Sequence, residues 1–363
     1  MKIVLLGAGH ANLEVLAAAV RKPLPNVSLT LISKNPTAIY SGMAAGVIAG
    51  VYRRPQASIS LQALCAAAKA EAIFEEVKGL DPARSEVWLA SGARLSFDAA
   101  AINTGSGTGK APARAIAVKP FEALFDEIDA IATGPKTGEC SVAIAGGGAG
   151  AVEIAFALEW RFQRRVPRSP VKLTLVTDED DILLSFPKAF RKNCKALLMR
   201  RGVSIQTGSP VIDFDGAQVF TADGRRLQAT SLIWAVGPSA GGWLRDSGLS
   251  LDWKGFALVS KTLQAIGYRK VFVAGDAASF ETIDVAKSGL YAVREGELLS
   301  KNLRRLAEGK PLLEFKPQTN ALYLLSTGGR RAVGTRNGFT FRGRLAWWLK
   351  DYIDRGYIGR FPR

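Results

Sequence analysis

The chain is predicted to be an α/β protein of two Rossmann-like dinucleotide-binding domains, the second inserted in the first, with a short C-terminal extension. Three observations carry this expectation. A short apolar strand at 2–6 runs into Gly7-Ala8-Gly9-His10-Ala11-Asn12 and a helix, and the order returns where strand 141–145 meets Gly146-Gly147-Gly148-Ala149-Gly150-Ala151 and helix 152–162. Each unit has an outgoing strand that ends near a glycine, at Thr104-Gly105 and at Gly237. A third piece, 271–296, reads as a buried strand, Gly275-Asp276, a polar loop and a helix beginning near Lys287. Two βαβ openings, each with its own outgoing strand, predict two similar nucleotide folds.

The composition suits this reading. With 363 residues, 48% hydrophobic and 22% charged, the chain is long enough for two cores. Three well-separated cysteines, Cys65, Cys140 and Cys194, form no CxxC, and His10 is the single histidine, so no metal site is expected and the cytosol is the expected compartment. A net charge of +16 favours anionic partners such as nucleotides, acidic lipid surfaces or an acidic protein. No RNA-binding aromatic motif or zinc finger is present, so no nucleic-acid partner is expected. Residues 1–19 have the basic-then-apolar look of a signal peptide, but Gly7 and Gly9 break the run and Glu14 falls in the helix; they read as strand, turn and helix. No apolar run is long enough to span a bilayer.

In the first unit the glycines make the tight turn and admit a pyrophosphate to the helix N-terminus, with His10 and Ala11 supplying backbone. Asn12 stands at the usual third glycine, a position that serves helix–strand packing. Strand 27–32 ends at Ser33-Lys34, where an acidic residue normally meets the ribose; Ser33 is expected on the ribose and Lys34 over the adenine or a phosphate. A helix is expected at 61–72, strands at 72–77 and 86–90, and a strand at 97–104 that leaves the domain at Thr104-Gly105. Residues 107–120 suit a linker.

The second unit has the cleaner turn, GxGxxA, with Gly146, Gly148, Ala149 and Gly150 in position to bind. Strand 171–176 ends at Thr177-Asp178; Asp178, one residue late, favours NADH slightly over NADPH. Glu153 has two readings: a carboxylate favoured on the first turn by the helix dipole, or a group bordering a nicotinamide, able to hold its carboxamide or relay a proton. Strands at 203–207, 211–214 and 218–221 lead to 231–236 and the return crossing at Gly237. The late Gly275-Asp276 offers a carboxylate to a polyol or pyrophosphate, and the helix start at Lys287 and Ser288 offers N–H groups to an electron-rich ring. Lys287 is either a positive charge turned inward toward that ring or a solvent lysine at a helix start.

Together these motifs resemble the two-dinucleotide-binding flavoproteins, the pyridine nucleotide-disulfide oxidoreductase superfamily. Within it, 40–50, 287–296, 324–336 and 347–361 are similar to the flavoprotein module fused to selenide, water dikinase and, more distantly, to type II NADH dehydrogenases. The resemblance implies FAD on Gly7, Gly9, His10, Thr104, Gly105, Gly275 and Asp276, and NAD(P)H on Gly146, Gly148, Ala149, Gly150 and Gly237. It implies an FAD-dependent enzyme that takes hydride from NAD(P)H and passes electrons to an unidentified small-molecule or quinone acceptor. The segment 40–46, which carries a redox cysteine pair in disulfide reductases, has no thiol here. Leu290 and Arg294 stand where type II NADH dehydrogenases carry glutamines beneath the flavin.

The expected layout is 1–110 and 240–310 for the FAD domain, 111–239 for the NAD(P)H domain and 311–363 for a C-terminal interface segment. Residues 343–361 mix aromatic with basic side chains, which fits packing over the flavin domain or dimerisation first, and peripheral contact with the inner face of a membrane second. The alternatives to the leading function are a low-turnover flavin partner module in a selenium or sulfur pathway and a peripheral-membrane NADH:quinone reductase.

Overall fold

The computed structural model describes residues 1–133, 140–164, 171–318 and 320–362. Its frame is two five-stranded parallel sheets. In the first the spatial order is Val271–Val273, Ala99–Ile102, Lys2–Leu6, Ser28–Ile32, Glu71–Ile73. In the second it is Ile116–Ala117, Ser231–Trp234, Cys140–Ala145, Val171–Val176, Val203–Gln206. The glycine-turn strand is central in both, flanked by the unit's outgoing strand. Helices cover these sheets, so the inner strands are apolar on both faces, as in Ala99–Ile102, which is buried throughout.

Each unit also carries a separate antiparallel three-stranded ribbon at the matching place in its sequence. The first comprises Val77–Asp81, Glu86–Leu89 and Arg94–Ser96, and the second Val211–Phe214, Gln218–Thr221 and Arg226–Gln228. The two crossings between units lie side by side. Gly107 N–H donates to Ser239 O at 2.9 Å and Ser239 N–H returns the bond to Gly107 O at 3.0 Å.

Several expected boundaries move. The helix expected at 61–72 is Leu61–Ala67, because Lys69 turns the chain at φ 54° into the sheet strand Glu71–Ile73. The single strand expected at 72–77 is therefore two, one in the sheet and one in the ribbon. The linker at 107–120 contains Ile116–Ala117, the edge strand of the second sheet. The helix after the second glycine turn begins earlier, at Ala149, and the late helix begins at Gly289 with Ser288 as its N-cap. The C-terminal extension is more than one helix: Tyr323–Ser326, Ala332–Arg336 and Phe339–Gly343 form an antiparallel sheet that leads into the helix Arg344–Ile358. No helix among the described residues is long and apolar enough to cross a membrane.

The helices His10–Arg21 and Gly289–Ala307 cross at Gly296. A Cβ there would stand 2.7 Å from Ala11 Cα and 2.8 Å from Ala11 O, so the crossing is set by backbone contact. Gly296→Ala should therefore cost about 1–3 kcal/mol of stability through overpacking. A denaturant titration checks this, and an unchanged midpoint would mean that the helices do not meet so closely.

Candidate active site

The first glycine turn is held by two buried asparagines. Asn12 Nδ2 donates to Gly7 O at 2.8 Å, Ala101 O at 3.1 Å and Leu6 O at 3.2 Å. Helix–strand packing, the job of a third glycine, is done here by a carboxamide that ties the helix to the ends of two strands. Asn103, which ends the outgoing strand, accepts the N–H groups of Ala11 at 2.8 Å and Asn12 at 3.3 Å. Thr104 and Gly105 follow it at the mouth, Thr104 exposed and Gly105 at φ 74°. Ser33 and Lys34 sit at the rim. The Ser33 hydroxyl donates to Asn35 O, and the exposed Lys34 faces Glu76 at 3.6 Å, so both side chains are engaged locally.

Gly275-Asp276 reaches the same place from the last strand of the sheet. Gly275 N–H donates to the buried Glu295, and Asp276 Oδ2 accepts from the Ser106 hydroxyl at 2.8 Å and from Lys119 Nζ at 3.4 Å. Burial pushes the Glu295 carboxyl up to about 7, against the opposing Gly275 N–H and Lys287. Lys287 does not face the helix N-terminus. Its ammonium donates to Ala278 O and lies 3.7 Å from the Phe256 ring centroid, and burial lowers its pKa.

Beside this turn, the first three N–H groups of Gly289–Ala307 have no protein acceptor among the described residues. Ser288 Oγ and His10 Nε2 are likewise buried without partners, and a Cβ on Gly289 would lie 3.8 Å from His10 Nε2. His10 is the first residue of its helix, its ring 5.6 Å from Tyr40 and 6.0 Å from Tyr357 between centroids. Burial lowers its pKa to about 4, more than nearby Asp276 raises it, so the imidazole is neutral at pH 7.

The second glycine turn is open. Ala149, Gly150 and Ala151 keep unpartnered N–H groups among the described residues, and a Cβ at Gly148, Gly150 or Gly237 would meet nothing within 4 Å. At Gly146, φ 122° and the nearness of Ala235 O, 2.5 Å from a Cβ, require glycine. The acid that reaches this turn is Glu179, whose Oε2 lies 3.2 Å from where a Gly147 Cβ would stand; Asp178 instead accepts from the Thr177 hydroxyl. Glu153 is the fifth residue of its helix, past the first turn, so the dipole does not explain it. Its carboxylate accepts Ser326 N–H at 2.7 Å, and burial raises its pKa against the pull of Lys350.

The C-terminal helix supplies that lysine. Lys350 and Asp354 are buried and paired at 2.8 Å; Lys350 Nζ also donates to Gly42 O at 2.6 Å, and Tyr40 OH donates to Asp354 at 3.2 Å. Tyr357 stacks on Tyr40 with centroids 4.6 Å apart, and Arg360 pairs with buried Glu14 of the first helix. Three parts of the chain, 40–42, Glu153 and the C-terminal helix, thus meet in one buried polar cluster. The segment 40–46 opens the helix Ser41–Ile48 and has no thiol; Cys65 and Cys194 are buried, and burial raises their pKa to about 11 and about 12.

Sequence reasoning missed Asn103, Ser106, Lys119, Glu179, Glu295, Lys350 and Asp354. An asparagine directly before Thr-Gly and an acid after a strand end are visible signals for two of them. Nothing local marks Glu295 or the Lys350–Asp354 pair, which gain their neighbours only through the tertiary fold.

Two linked dinucleotide folds with a polar junction between them define a pyridine nucleotide-dependent flavoprotein. The profile of the pyridine nucleotide-disulphide oxidoreductase family matches residues 1–294, and the chain belongs to that family of oxidoreductases. It is 25% identical over 378 residues to the NADH dehydrogenase-like protein YutJ of Bacillus subtilis, covering 100% of this chain and 95% of that one. It is 23% identical over 382 residues to a type II NADH:quinone oxidoreductase of Staphylococcus saprophyticus, covering 97% and 94%. Among solved structures, the sulfide:quinone oxidoreductase of Aquifex aeolicus superposes with a TM-score of 0.80 at 18% identity, over 99% of this chain and 91% of that one. The NAD-dependent persulfide reductase of A. fulgidus gives 0.76 at 15% identity, over 93% and 64%.

His10 generates a pH prediction. Its folded pKa of about 4 lies below the ordinary 6.5, so between these values the unfolded chain binds more protons and stability falls as pH falls. Relative to His10→Asn, the wild-type apoprotein should lose stability between pH 6.5 and 4.5. Parallel denaturant midpoints across that range would expose a solvated histidine.

Proposed function

We propose that this chain is an FAD-dependent oxidoreductase that takes hydride from NADH and passes electrons to a quinone drawn from a membrane surface, on the inner face of the membrane. Bound FAD supplies the two-electron relay between nicotinamide and acceptor. The observation that carries the reading is the convergence of the first glycine turn, Gly275-Asp276 and the open helix end at Gly289 around two unpartnered buried atoms, His10 Nε2 and Ser288 Oγ.

In this reading Gly7, Gly9 and His10 carry the pyrophosphate of FAD beside Ala11, whose N–H Asn103 already holds, Thr104, Gly105 and Asp276 line its polyol side, and the N–H groups after Ser288 face the electron-rich ring. Ser33 and Lys34 border the adenosine. Gly146, Gly148, Ala149, Gly150 and Gly237 receive NADH, with Glu179 as the ribose acceptor that disfavours a 2′-phosphate. Glu153, kept protonated more readily by burial and placed beside Lys350, is the group fit to hold and pass a proton. Lys287, tied to Ala278 O and Phe256, supports the loop before the helix rather than the ring. Electrons leave without a cysteine pair.

The acceptor side rests on the two faces of Arg344–Ile358. Ala346, Trp347, Lys350, Asp354 and Tyr357 are buried, whereas Leu345, Trp348, Leu349, Tyr352 and Ile353 form an exposed stripe at helical spacing, with Leu345 and Tyr352 each 78% exposed. Arg344 and Arg355 on the same helix, and Arg336 and Arg342 on the sheet that leads into it, are exposed, Arg355 paired with Asp351. An apolar stripe on a helix that carries exposed arginines suits the headgroup region of an anionic membrane. The alternative is a low-turnover flavin module of a selenium or sulfur pathway whose partner protein covers the same stripe.

Two experiments test the reading. Gly148→Arg should keep FAD but slow reduction by NADH at least about tenfold, because the side chain fills the approach to the second turn; reduction at the wild-type rate would refute the assignment. Trp348→Glu with Tyr352→Glu should abolish sedimentation with anionic liposomes and quinone reduction in them, while leaving reduction of a water-soluble acceptor unchanged. Slow reduction by NADH in every acceptor assay would instead favour the partner module.

A further inference from the structure

Asn103 is where the glycine-bearing segments of the first domain meet. A Cβ on Gly9 would lie 2.2 Å from its Oδ1, and one on Gly275 would lie 2.5 Å from its Nδ2. The residue is 2% exposed and every polar atom of its side chain is used. Oδ1 accepts from Ala11 N at 2.8 Å and Asn12 N at 3.3 Å, and Nδ2 donates to Ala274 O at 2.7 Å. Its main-chain oxygen accepts from Gly9 N at 3.0 Å.

A helix N-cap side chain ordinarily accepts from the second or third helical N–H. The N-cap here is Gly9, which has no side chain, and Asn103 does this work from a position 92 residues from Ala11. Of the first three helical N–H groups, those of His10, Ala11 and Asn12, only that of His10 has no acceptor among the described residues. The second domain serves as an internal comparison. Ala235 O lies against Gly146 as Asn103 O lies against Gly7, so alanine stands where the first domain has asparagine, and the N–H groups of Ala149, Gly150 and Ala151 are all open.

We propose that Asn103 is a built-in cap that occupies two of the amide donors a dinucleotide pyrophosphate would otherwise take, so that the chain itself holds the first site in its binding shape and FAD binds reversibly. The proposal rests on the FAD reading above. Without ligand, a bare helix end facing a strand terminus would leave buried donors unsatisfied; the carboxamide removes that cost. With ligand, the pyrophosphate keeps the His10 N–H and the helix dipole but must share or forgo the other two donors. The chain therefore gives up affinity for a site that survives loss of its cofactor.

The test uses the full-length chain stripped of flavin, as wild type, Asn103→Ala and Asn103→Asp. The apoprotein unfolding midpoint and the Kd for added FAD, read by flavin fluorescence, are measured for each. Asn103→Ala should lower the apo midpoint by roughly 2–4 °C yet bind FAD about threefold more tightly or better, because two donors become free. Asn103→Asp keeps an acceptor for both N–H groups but sets its second oxygen against Ala274 O in place of Nδ2, so its apo midpoint should also fall; in the protein that folds, its carboxylate beside a diphosphate should weaken FAD binding about tenfold or more. Weaker binding by Asn103→Ala would show that the carboxamide helps rather than competes, and unchanged binding by Asn103→Asp would show that it lies away from the pyrophosphate; either overturns the proposal. Should Asn103→Ala fail to fold, the aspartate variant decides. A folded wild-type apoprotein that does not take up FAD would sink the FAD reading and with it the competition, while the apo midpoint of Asn103→Ala would still decide whether the residue is a cap.

Discussion

The first domain closes across an inserted one, and the rest of the structure depends on that closure. The strand Val271–Val273 must return to pair with Ala99–Ile102, and the helix behind it must pack on His10–Arg21, a partner from the opposite end of the chain. Such long-range pairing is costly in chain entropy. Backbone contact at Gly296, full burial of the inner strands and the polar ties of Asn12, Asn103 and Glu295 offset that cost at one place, where the strand ends meet the helix ends. That same place presents the free N–H groups and the Asp276 carboxylate.

The internal duplication makes the two glycine turns comparable and shows how far they have diverged. The second turn is bare: small residues, open N–H groups and an acid, Glu179, leaning over it. The first is furnished with side chains. Asn12 replaces close backbone packing by hydrogen bonds, Asn103 fills the helix end, and His10 places a neutral ring beside the second helix terminus. On the proposed reading, a site that must outlast the loss of its cofactor gains from being built in advance, whereas a site for a transient donor gains from being open to approach.

The C-terminal extension links both domains. Its helix buries Lys350 and Asp354 against Gly42 and Tyr40 and lies within electrostatic reach of Glu153, and Arg360, just past the helix end, latches to Glu14. A buried ion pair contributes little net stability after desolvation, but breaking one leaves an unpaired charge and costs several times more. The helix is therefore held in one register, which fixes which of its faces is turned outward. The outward face is the apolar stripe, so the same packing that completes the polar cluster also leaves that stripe exposed.

Local pattern alone determined a great deal about this protein. Apolar runs ending in glycine turns, repeated with the same outgoing strand, specify two parallel-sheet nucleotide folds, because strand period, turn geometry and helix start are all short-range properties. The glycine positions of both turns, and Gly275-Asp276, were legible for the same reason. The aromatic and basic character of 343–361 was legible as well, but not its division into a buried and an exposed face. Only the tertiary structure decided that Glu179 rather than Asp178 reaches the second turn, that Lys287 turns toward Phe256, that Glu153 faces Ser326 and Lys350, and that Asn103 caps a helix distant in sequence. Each of these is a contact between distant segments brought together by sheet order and helix crossing, and neither leaves a periodic trace in the residues themselves.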